Sequence, residues 1–307
     1  MSASADRHWQ RVAQLALHVE AALERALAAD DEPLACSGEA RLVESMRYSL
    51  RTPGKRLRPL LLLTTADAVG ADADRFVQFA VGLEMIHAYS LIHDDLPAMD
   101  DDTLRRGQPT NHIIYGDGMA ILAGDGLLTE AFVTMLAPVA EASLQTEVVA
   151  EIARAAGRDG MVGGQAADLI AEGCRPDEAV LSSIHARKTG ALILASVRAG
   201  ARLGGASDED VELLSRFGLG YGLAFQIADD IKDEVAPPSV TGKNPQGDRR
   251  AAKMTYPALF GVESARRRCH DELDSALALL APLGERATGL ERLARDSVAI
   301  AFADHAA

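Results

Sequence analysis

Aromatic residues are scarce in this sequence. Phe, Trp and Tyr together make up 4% of its 307 residues, although 48% of the residues are apolar. Ala and Leu supply most of that apolar content, and both favour helices, whereas aromatic and β-branched residues favour sheets. The composition therefore predicts a helical protein with a large core, in one large domain or two of average size.

Cysteine is also scarce, and its placement argues against two kinds of scaffold. Cys36, Cys174 and Cys269 lie far apart and form no C-x-x-C pair, so neither a disulfide framework nor structural zinc is indicated. The first residues, MSASADRHWQ, lack the basic and apolar regions of a secretory signal, and no apolar run approaches a membrane span. We therefore expect a cytoplasmic protein without membrane insertion.

Positive charge is in deficit, since the formal net charge is −14. Nucleic-acid-binding proteins normally carry a basic face, so that class is disfavoured. The sequence also lacks a Gly-rich P-loop ending in GK[ST], so nucleotide phosphate is not indicated. An acidic protein can still bind an anionic substrate where cations or metal ions are concentrated locally.

Helical periodicity runs through nearly the whole chain, and strand-type alternation is not evident. Apolar residues recur at three- and four-residue spacing in 8–29, 40–50, 59–69, 73–96, 117–137, 144–156, 161–171, 177–203, 208–234, 253–281 and 286–302. The main interruption, 236–250, is rich in Pro and Gly and predicts a long loop, a kind of segment that is often functional. The pattern predicts a single all-α domain over residues 1–307.

The first of two acidic clusters is HDDLPAMDDD, residues 93–102. Asp94 and Asp95 end an apolar helix, and Pro97 ends or bulges that helix, because the residue before proline avoids the helical conformation. Asp100 lies six residues after Asp94, which is off-face on an ideal helix, but the insertion around Pro97 can return it to Asp94. Residues 94–105 lack the Gly and the final Glu of an EF-hand calcium loop, so a calcium loop is not expected.

The second acidic cluster is QIADDIKDE, residues 226–234. Asp229 and Asp233 are four residues apart and share a helix face, where their like charges repel. A divalent cation removes that repulsion, and Mg²⁺ is commonly held by one or two carboxylates plus substrate phosphates. A solvated acidic helix end is the alternative for either cluster alone, but two such clusters after apolar stretches favour a metal site.

Basic residues accompany both clusters. The turn TPGKRLRP, residues 52–59, leads into a helix whose N-terminus attracts anions, and Lys55, Arg56 and Arg58 add positive charge there. The other candidates are Arg105, Arg106, Lys188, Lys243 and Lys253. Any one of these residues could be a surface cation, but the group beside the carboxylates predicts a diphosphate site, bound partly through metal and partly directly.

These motifs, in this order, resemble the trans-prenyl diphosphate synthases of the bacterial farnesyl/geranylgeranyl branch, from about Met46 to about Gly261. The segments that carry the resemblance are GKRLRP (54–59), EMIHAYSLIHDDLPAMDDDTLRRG (84–107), AILAGD (120–125), GMVGGQAADL (160–169), KTGAL (188–192), FQIADDIKD (225–233) and GKNPQGD…KMTYPAL (242–259). The resemblance implies an isoprenoid-synthase-type fold, a polyprenyl synthetase domain of about ten or more helices around a central cavity, and a homodimer. It also implies Mg²⁺-dependent head-to-tail (1′-4) condensation of isopentenyl diphosphate with dimethylallyl or geranyl diphosphate.

The resemblance also implies roles for individual residues. Three magnesium ions are expected. Asp94 and Asp100 would hold two of them, with Asp95 in support. Asp229 would hold the third, with Asp230 and Asp233 assisting. The allylic diphosphate would contact Arg105, Lys188, Lys243 and Lys253. Isopentenyl diphosphate would be bound by Gly54, Lys55, Arg58, His87 and Arg106. Thr189 and Gln226 would line the region where the carbocation forms, and Gln165 and Asp168 would brace it.

Product length can be argued from helix geometry. A growing tail would run along the helix before Asp94, where one turn of about 5.4 Å is close to the length of an isoprene unit. Tyr89 and Ser90 lie five and four residues before Asp94. If Tyr89 points into the tunnel, its ring forms a floor and farnesyl diphosphate is expected; if Tyr89 only packs between helices, geranylgeranyl diphosphate is expected.

Some positions depart from the family pattern. Pro53 replaces the first Gly of the usual GGKR, Lys232 stands where an apolar residue is common, and Gly247 comes one place late. Lys232 either faces away from the metal site or weakens it. The C-terminus, AFADHAA, lacks the basic tail of some members.

Three other classes of protein remain as alternatives. A terpene cyclase shares the fold but needs no second diphosphate site. A di-iron bundle needs two Glu-x-x-His motifs, whereas only Glu84-x-x-His87 is present here. A non-catalytic partner subunit would be expected to have lost Asp residues that this chain keeps.

Overall fold

Helices make up nearly all of the structure, a computed structural model that describes residues 3–27, 38–175, 177–235 and 254–299. The helices are α1 (Ala3–Arg25), α2 (Gly38–Arg51), α3 (Leu57–Ala68), α4 (Val77–Asp94), α5 (Asn111–Tyr115), α6 (Asp117–Met135), α7 (Ala142–Ala156), α8 (Met161–Ala171), α9 (Glu178–His185), α10 (Ala191–Leu203), α11 (Asp208–Val235), α12 (Tyr256–Phe260), α13 (Val262–Ala278) and α14 (Thr288–Ala299). Two 3₁₀ segments occupy Ala73–Phe76 and Ala281–Ala287, and a π-helical turn, Ala186–Gly190, joins α9 to α10. The all-α prediction is confirmed.

The short elements are where the sequence-based prediction missed structure. A hairpin of two-residue strands, β1 (Leu104–Arg105) and β2 (Gln108–Pro109), pairs antiparallel just after the first acidic cluster. Neither this hairpin nor α5 is long enough to show a periodic pattern. The predicted helix 177–203 is interrupted by the π-helical turn, and the predicted helix 253–281 is divided at Gly261, which has a positive φ of 78°.

Helix α4 forms the centre of the core. It is apolar on all sides, which is typical of a helix surrounded by others, and Phe79, Leu83 and Ile86 on it are fully buried. Helices α3 and α6 pack against α4, while α10 packs against α3, α7 and α11. This packing fixes the end of α4, and with it Asp94, relative to α11.

Helix α6 is long and apolar enough, by length and composition, to cross a membrane, a feature that the sequence analysis did not predict. In this fold it lies against α4 and buries one face, with Ala123, Leu127 and Ala131 completely covered. A core helix of a water-soluble protein passes the same test, so the packing of α6 explains its composition.

The bundle encloses the predicted central cavity, which has a volume of about 1210 Å³. The turn before α3, the end of α4 and helices α8 and α11 all contribute to its wall. The predicted loop 236–250 lies outside the described residues, as do Lys243, Gly247, Lys253 and the C-terminal AFADHAA. The extent of the single domain over residues 1–307 stays a prediction.

Candidate functional site

The first acidic motif folds back on itself at the end of α4. The backbone N–H of Asp100 donates to the carbonyl of Asp94 at 2.8 Å, and Asp101, with a positive φ of 54°, donates to Leu96 at 3.1 Å. This turn around Pro97 returns Asp100 to Asp94, as the insertion predicts, and both side chains border the cavity.

The environment of Asp94 disfavours its ionisation. Burial raises the pKa of this carboxyl group to about 6, and the nearby Asp100 adds to the effect, although Lys188 and Arg105 oppose it. A buried carboxylate beside a second carboxylate is stabilised when a cation binds between them. The chemistry of this pair therefore fits a divalent metal ion.

Asp95, the neighbouring residue, points away from the large cavity. Its carboxylate accepts from Arg105, with Nε at 2.7 Å from Oδ1 and Nη2 at 2.5 Å. Asp95 is buried and borders a smaller pocket of about 40 Å³ behind the motif. The residue thus holds Arg105 in place, and its support of the magnesium ions stays a prediction.

The second acidic motif lies at the end of α11, across the cavity. Asp229 and Asp233 border the cavity, and so does Lys232, which therefore does not face away from the site. Asp230 also borders it, but its oxygens accept from protein donors: the side-chain amide of Gln226 and the backbone N–H of Tyr256, both at 2.9 Å. The two motifs thus present carboxylates to one space from the ends of two different helices.

This donor set fits Mg²⁺ shared with a phosphate ligand. Among the described residues, no three His, Cys, Asp or Glu side chains converge into a closed cage. Mg²⁺ keeps several waters and is usually held by one or two carboxylates together with substrate phosphates, so a closed cage is not required. Asp94, Asp100 and Asp229 supply carboxylates of that kind.

The turn before α3 carries one group of cations. Arg106, with a positive φ of 53°, donates from Nη1 to the carbonyl of Pro53 at 2.6 Å. A Cβ atom on Gly54 would lie 2.2 Å from Arg106 Nη1, so any other residue at position 54 would displace the Arg106 guanidinium from this place. Pro53 contributes its carbonyl, which proline retains, so its replacement of the usual Gly is compatible with this contact.

Lys55, Arg58 and His87 lie beneath that turn. Burial lowers the pKa of Lys55, whose Nζ approaches the carbonyl of Ser297 at 3.5 Å. Burial and the cationic Arg58 hold the pKa of His87 well below its usual value, so its ring is neutral near pH 7. Arg58 Nε and His87 Nδ1 are buried without a hydrogen-bond partner in the described part of the chain. Buried nitrogen atoms of this kind suit a binding site for an anionic ligand.

A second group of polar residues surrounds the π-helical turn. Lys188 Nζ donates to Asp168 at 2.7 Å, and the Thr189 hydroxyl donates to Gln226 Oε1 at 2.5 Å. A Cβ atom on Gly164 would lie 2.3 Å from the backbone nitrogen of Lys188. The glycine therefore lets α8 pack directly against the turn, which places Lys188 and Thr189 at the cavity wall.

The apolar side of the cavity runs along α4. Tyr89 borders it, is 5% exposed, and meets His93 edge to face with ring centroids 5.8 Å apart. His93 Nε2 lies 3.1 Å from the carbonyl of Ile121 on α6, and this contact braces the pair. The small side chain of Ser90 is turned back to its own helix, where its hydroxyl donates to the carbonyl of His87 at 2.8 Å. The ring of Tyr89 is therefore the larger obstacle in this part of the cavity.

The structure thus brings most of the predicted site residues to one cavity. Those that border it are Gly54, Lys55, Arg58, His87, Tyr89, Ser90, Asp94, Asp100, Arg105, Arg106, Gln165, Asp168, Lys188, Thr189, Gln226, Asp229, Asp230 and Asp233. Asp95 borders the smaller pocket, and Lys243 and Lys253 lie outside the described residues. The roles of these residues stay predictions.

Sequence reasoning missed the structural role of Arg56. This residue has a positive φ of 47°, is buried, and donates from Nη1 to Glu84 at 3.0 Å and from Nε to Glu20 at 2.7 Å. It joins α1 and α4 to the cationic turn. Glu84 is therefore engaged in an ion pair, which is a different role from the iron ligand that Glu84-x-x-His87 could suggest. No spacing in the sequence connects Glu20, Arg56 and Glu84.

Replacing Asp94 by Asn should stabilise the metal-free protein near neutral pH. Folding raises the pKa of the Asp94 carboxyl group to about 6, so this group favours the folded state only while it is protonated. Its stabilising contribution is complete below the pKa of the unfolded chain and is lost as the pH rises through about 6. We expect Asp94→Asn to raise the free energy of unfolding at about pH 8 by up to about 3 kcal/mol. The gain should shrink toward zero near pH 4. Urea unfolding in EDTA measures the gain, and a variant no more stable than wild type at any pH would show that the Asp94 carboxylate does not destabilise the fold.

Replacing Glu84 by Gln should destabilise the protein, because the change leaves the buried Arg56 without its buried counter-charge. We expect a loss of about 3 kcal/mol in the free energy of unfolding. Glu20→Gln is the matched control, since its side chain is 47% exposed and its loss should stay below about 1 kcal/mol. Urea denaturation of both variants provides the comparison, and equal losses would be inconsistent with a buried pair.

Comparisons with known proteins bear on the same residues. The Polyprenyl synthetase family model matches residues 39–282. The farnesyl diphosphate synthase of Geobacillus stearothermophilus is 46% identical over 258 residues, covering 83% of this chain and 86% of that protein. The geranylgeranyl diphosphate synthase of Cyanophora paradoxa is 45% identical, covering 73% and 76%. The crystal structure of an FPP/GFPP synthase from Zymomonas mobilis matches with a TM-score of 0.84 at 36% identity, covering 96% of this chain and 99% of that one. The resemblance seen in the motifs is confirmed, and the chain belongs to the polyprenyl synthetase family.

Proposed function

We propose that this protein is a farnesyl diphosphate synthase, a prenyltransferase that joins isopentenyl diphosphate head-to-tail (1′-4) to dimethylallyl and then to geranyl diphosphate. The observation that carries the proposal is one cavity bordered by both carboxylate motifs and by two separate groups of cations. Two groups of cations suit two diphosphates, whereas a terpene cyclase has one diphosphate to bind. Similarity to the Geobacillus stearothermophilus enzyme supports the same assignment.

Residues of both motifs would hold Mg²⁺. Asp94 and Asp100 lie on one wall and Asp229 on the other, which suits three ions around one diphosphate; Asp233 would assist, and Asp95 would act through Arg105. When bound, Mg²⁺ supplies positive charge that stabilises the leaving diphosphate.

The two groups of cations would bind different substrates. Arg105 and Lys188 lie near Asp94 and would contact the allylic diphosphate, together with Lys243 and Lys253. On the other side, the diphosphate of isopentenyl diphosphate would be bound by Lys55, Arg58, His87 and Arg106. The buried Arg58 Nε and His87 Nδ1 atoms support this second site, because an anionic ligand would give them partners.

The bond changes follow from this arrangement of substrates. The bond from C1 of the allylic substrate to its diphosphate breaks, and the electron pair leaves with the diphosphate. The double-bond electrons of isopentenyl diphosphate then form a bond from its C4 to that C1, and a proton is lost from its C2 to the released diphosphate. Thr189 and Gln226 place oxygen atoms where positive charge develops. The enclosing helices keep water from the cation.

The proposed product is the fifteen-carbon farnesyl diphosphate. Tyr89 borders the cavity and is held against His93, which supports a floor one to two helical turns before Asp94. A twenty-carbon product is the second candidate, and the similarity to the geranylgeranyl diphosphate synthase of Cyanophora paradoxa keeps it open.

We also propose that the protein is a homodimer. Helices α5 and α6 expose large apolar side chains, among them Ile113, Leu122 and Val133, of which Val133 is 60% exposed. An exposed apolar face of this kind suits a second copy of the chain.

A cytoplasmic location stays a prediction.

The proposed activity is tested by incubating the purified protein with Mg²⁺, isopentenyl diphosphate and a series of allylic primers, and sizing the products. We expect farnesyl diphosphate from dimethylallyl or geranyl diphosphate, no product in EDTA, and a kcat lower by about 100-fold or more in Asp94→Ala. Asp159→Ala, at an exposed position, is the control. Turnover that does not depend on isopentenyl diphosphate would instead indicate a cyclase, and stoichiometric iron would indicate a di-iron protein.

Replacing Tyr89 by Ala should lengthen the product. Removing the ring opens the apolar end of the cavity by more than the length of one isoprene unit, so chains of twenty carbons or longer should accumulate. Chromatography of the dephosphorylated products measures the change, with Tyr89→Phe as the matched control that keeps the ring. An unchanged product from Tyr89→Ala would show that this residue does not form the floor.

A further inference from the structure

The carboxylate of Asp230, in the second motif, is directed at protein donors. It is buried, with Oδ1 accepting from Gln226 Nε2 and Oδ2 accepting from the backbone N–H of Tyr256, each at 2.9 Å. His185 Nε2 lies 3.3 Å from the same Oδ2. A metal ligand needs a lone pair directed at the ion, and here each oxygen already accepts from an N–H group, Oδ1 from α11 and Oδ2 from α12.

These contacts determine which way the Gln226 side chain points. An ionised carboxylate can only accept hydrogen bonds, so Gln226 must present its NH₂ group to Asp230. The other end of the amide, the carbonyl oxygen Oε1, then accepts from the Thr189 hydroxyl at 2.5 Å. Asp230, the partner of the NH₂ group, therefore fixes the orientation of the Gln226 amide. That orientation in turn places the partly negative oxygen Oε1 at the cavity wall.

We propose that Asp230 is a positioning residue that holds the Gln226 amide with its oxygen toward the reacting carbon, and that it does not bind metal. The inference rests on the proposed function, in which positive charge develops beside Thr189 and Gln226. A dipole held in advance stabilises that charge without reorganising during the reaction. If the amide were reversed, its NH₂ group would face the same charge and oppose it.

Asp230 also joins the elements that shape this wall. Gln226 and Asp230 are four residues apart on α11 and so share a face. Tyr256 is the first residue of α12, and His185 is the last residue of α9, directly before the π-helical turn that carries Thr189. The rings of His185 and Tyr256 stack with centroids 5.8 Å apart, which keeps both residues beside Asp230.

Asp230→Asn tests the inference with little change in shape. The oxygen of the new amide can still accept from Tyr256, but its NH₂ group then faces Gln226, whose amide must turn over to provide an acceptor. We expect kcat to fall by about 100-fold. The KM for each diphosphate and the Mg²⁺ concentration at half-maximal rate should change by less than about twofold, because no ligand of substrate or metal is lost.

A double variant, Asp230→Asn with Gln226→Glu, exchanges the amide and the carboxylate between the two positions. The amide at position 230 would donate to the carboxylate at position 226, which again presents an oxygen to Thr189, and the net charge of the protein is unchanged. We expect the double variant to recover most of the kcat lost by Asp230→Asn. Asp229→Asn serves as the metal-type control and should raise the Mg²⁺ requirement about tenfold or more, whereas Glu234→Gln, at an exposed position, should behave as wild type.

A readout that does not depend on turnover separates the two roles of the carboxylates. Thermal unfolding with inorganic pyrophosphate should show the same Mg²⁺-induced rise in Tm for Asp230→Asn as for wild type, and a smaller rise for Asp229→Asn. A lost rise in Asp230→Asn, or a double variant as slow as the single one, would overturn the inference. So would an Asp230→Asn variant with wild-type kcat. A wild-type protein that makes no prenyl product would refute the proposed function itself, which is a different outcome.

Discussion

The gathering of carboxylates around one cavity is the constraint on which this structure depends. Asp94 and Asp100 are held together by a backbone hydrogen bond across the Pro97 turn, and the pKa of Asp94 is raised to about 6. Asp229 borders the same space from α11. Placing the acidic groups in this way lowers the stability of the folded protein. A cationic ligand that binds the carboxylates of both motifs would restore that stability.

The core supplies the rigidity that this arrangement needs. Most of helix α4 is buried among its neighbours, so its end is a fixed platform for the first motif. Three non-glycine residues at or beside the cavity, Arg56, Asp101 and Arg106, have positive φ angles, which are costly for side chains with a Cβ atom. The ion pair between Arg56 and Glu84 stabilises one of these turns and connects it to α4. Contacts away from the site thus stabilise a strained turn at the site.

Much of this fold could be predicted from the sequence, because long helices leave a clear periodic pattern. The predicted segment 208–234 is α11 to within one residue, and 161–171 agrees with α8 in full. The hairpin after the first motif and helix α5 could not be predicted, since two to five residues carry no period. The π-helical turn inside 177–203 was also missed, because its apolar spacing differs little from that of an α-helix over so short a length.

The site was predictable to a similar extent, and for a different reason. The Asp residues recur in motifs with definite spacing, so their convergence on one cavity could be inferred before their positions were known. Pairings between distant segments have no such signature: nothing in the sequence connects Arg56 to Glu20, or Asp230 to His185 and Tyr256. Those contacts decide whether a residue faces the cavity or supports one that does, and this distinction required coordinates.

The central claim is that opposed carboxylates bind one diphosphate through shared metal ions. A crystal structure of the protein with Mn²⁺ and inorganic pyrophosphate, with anomalous scattering used to locate the metal, tests it most directly. We expect Mn²⁺ ions bridging the pyrophosphate to Asp94 and Asp100 on one side and to Asp229 on the other. Pyrophosphate bound with metal at only one wall, or bound elsewhere in the protein, would contradict the account.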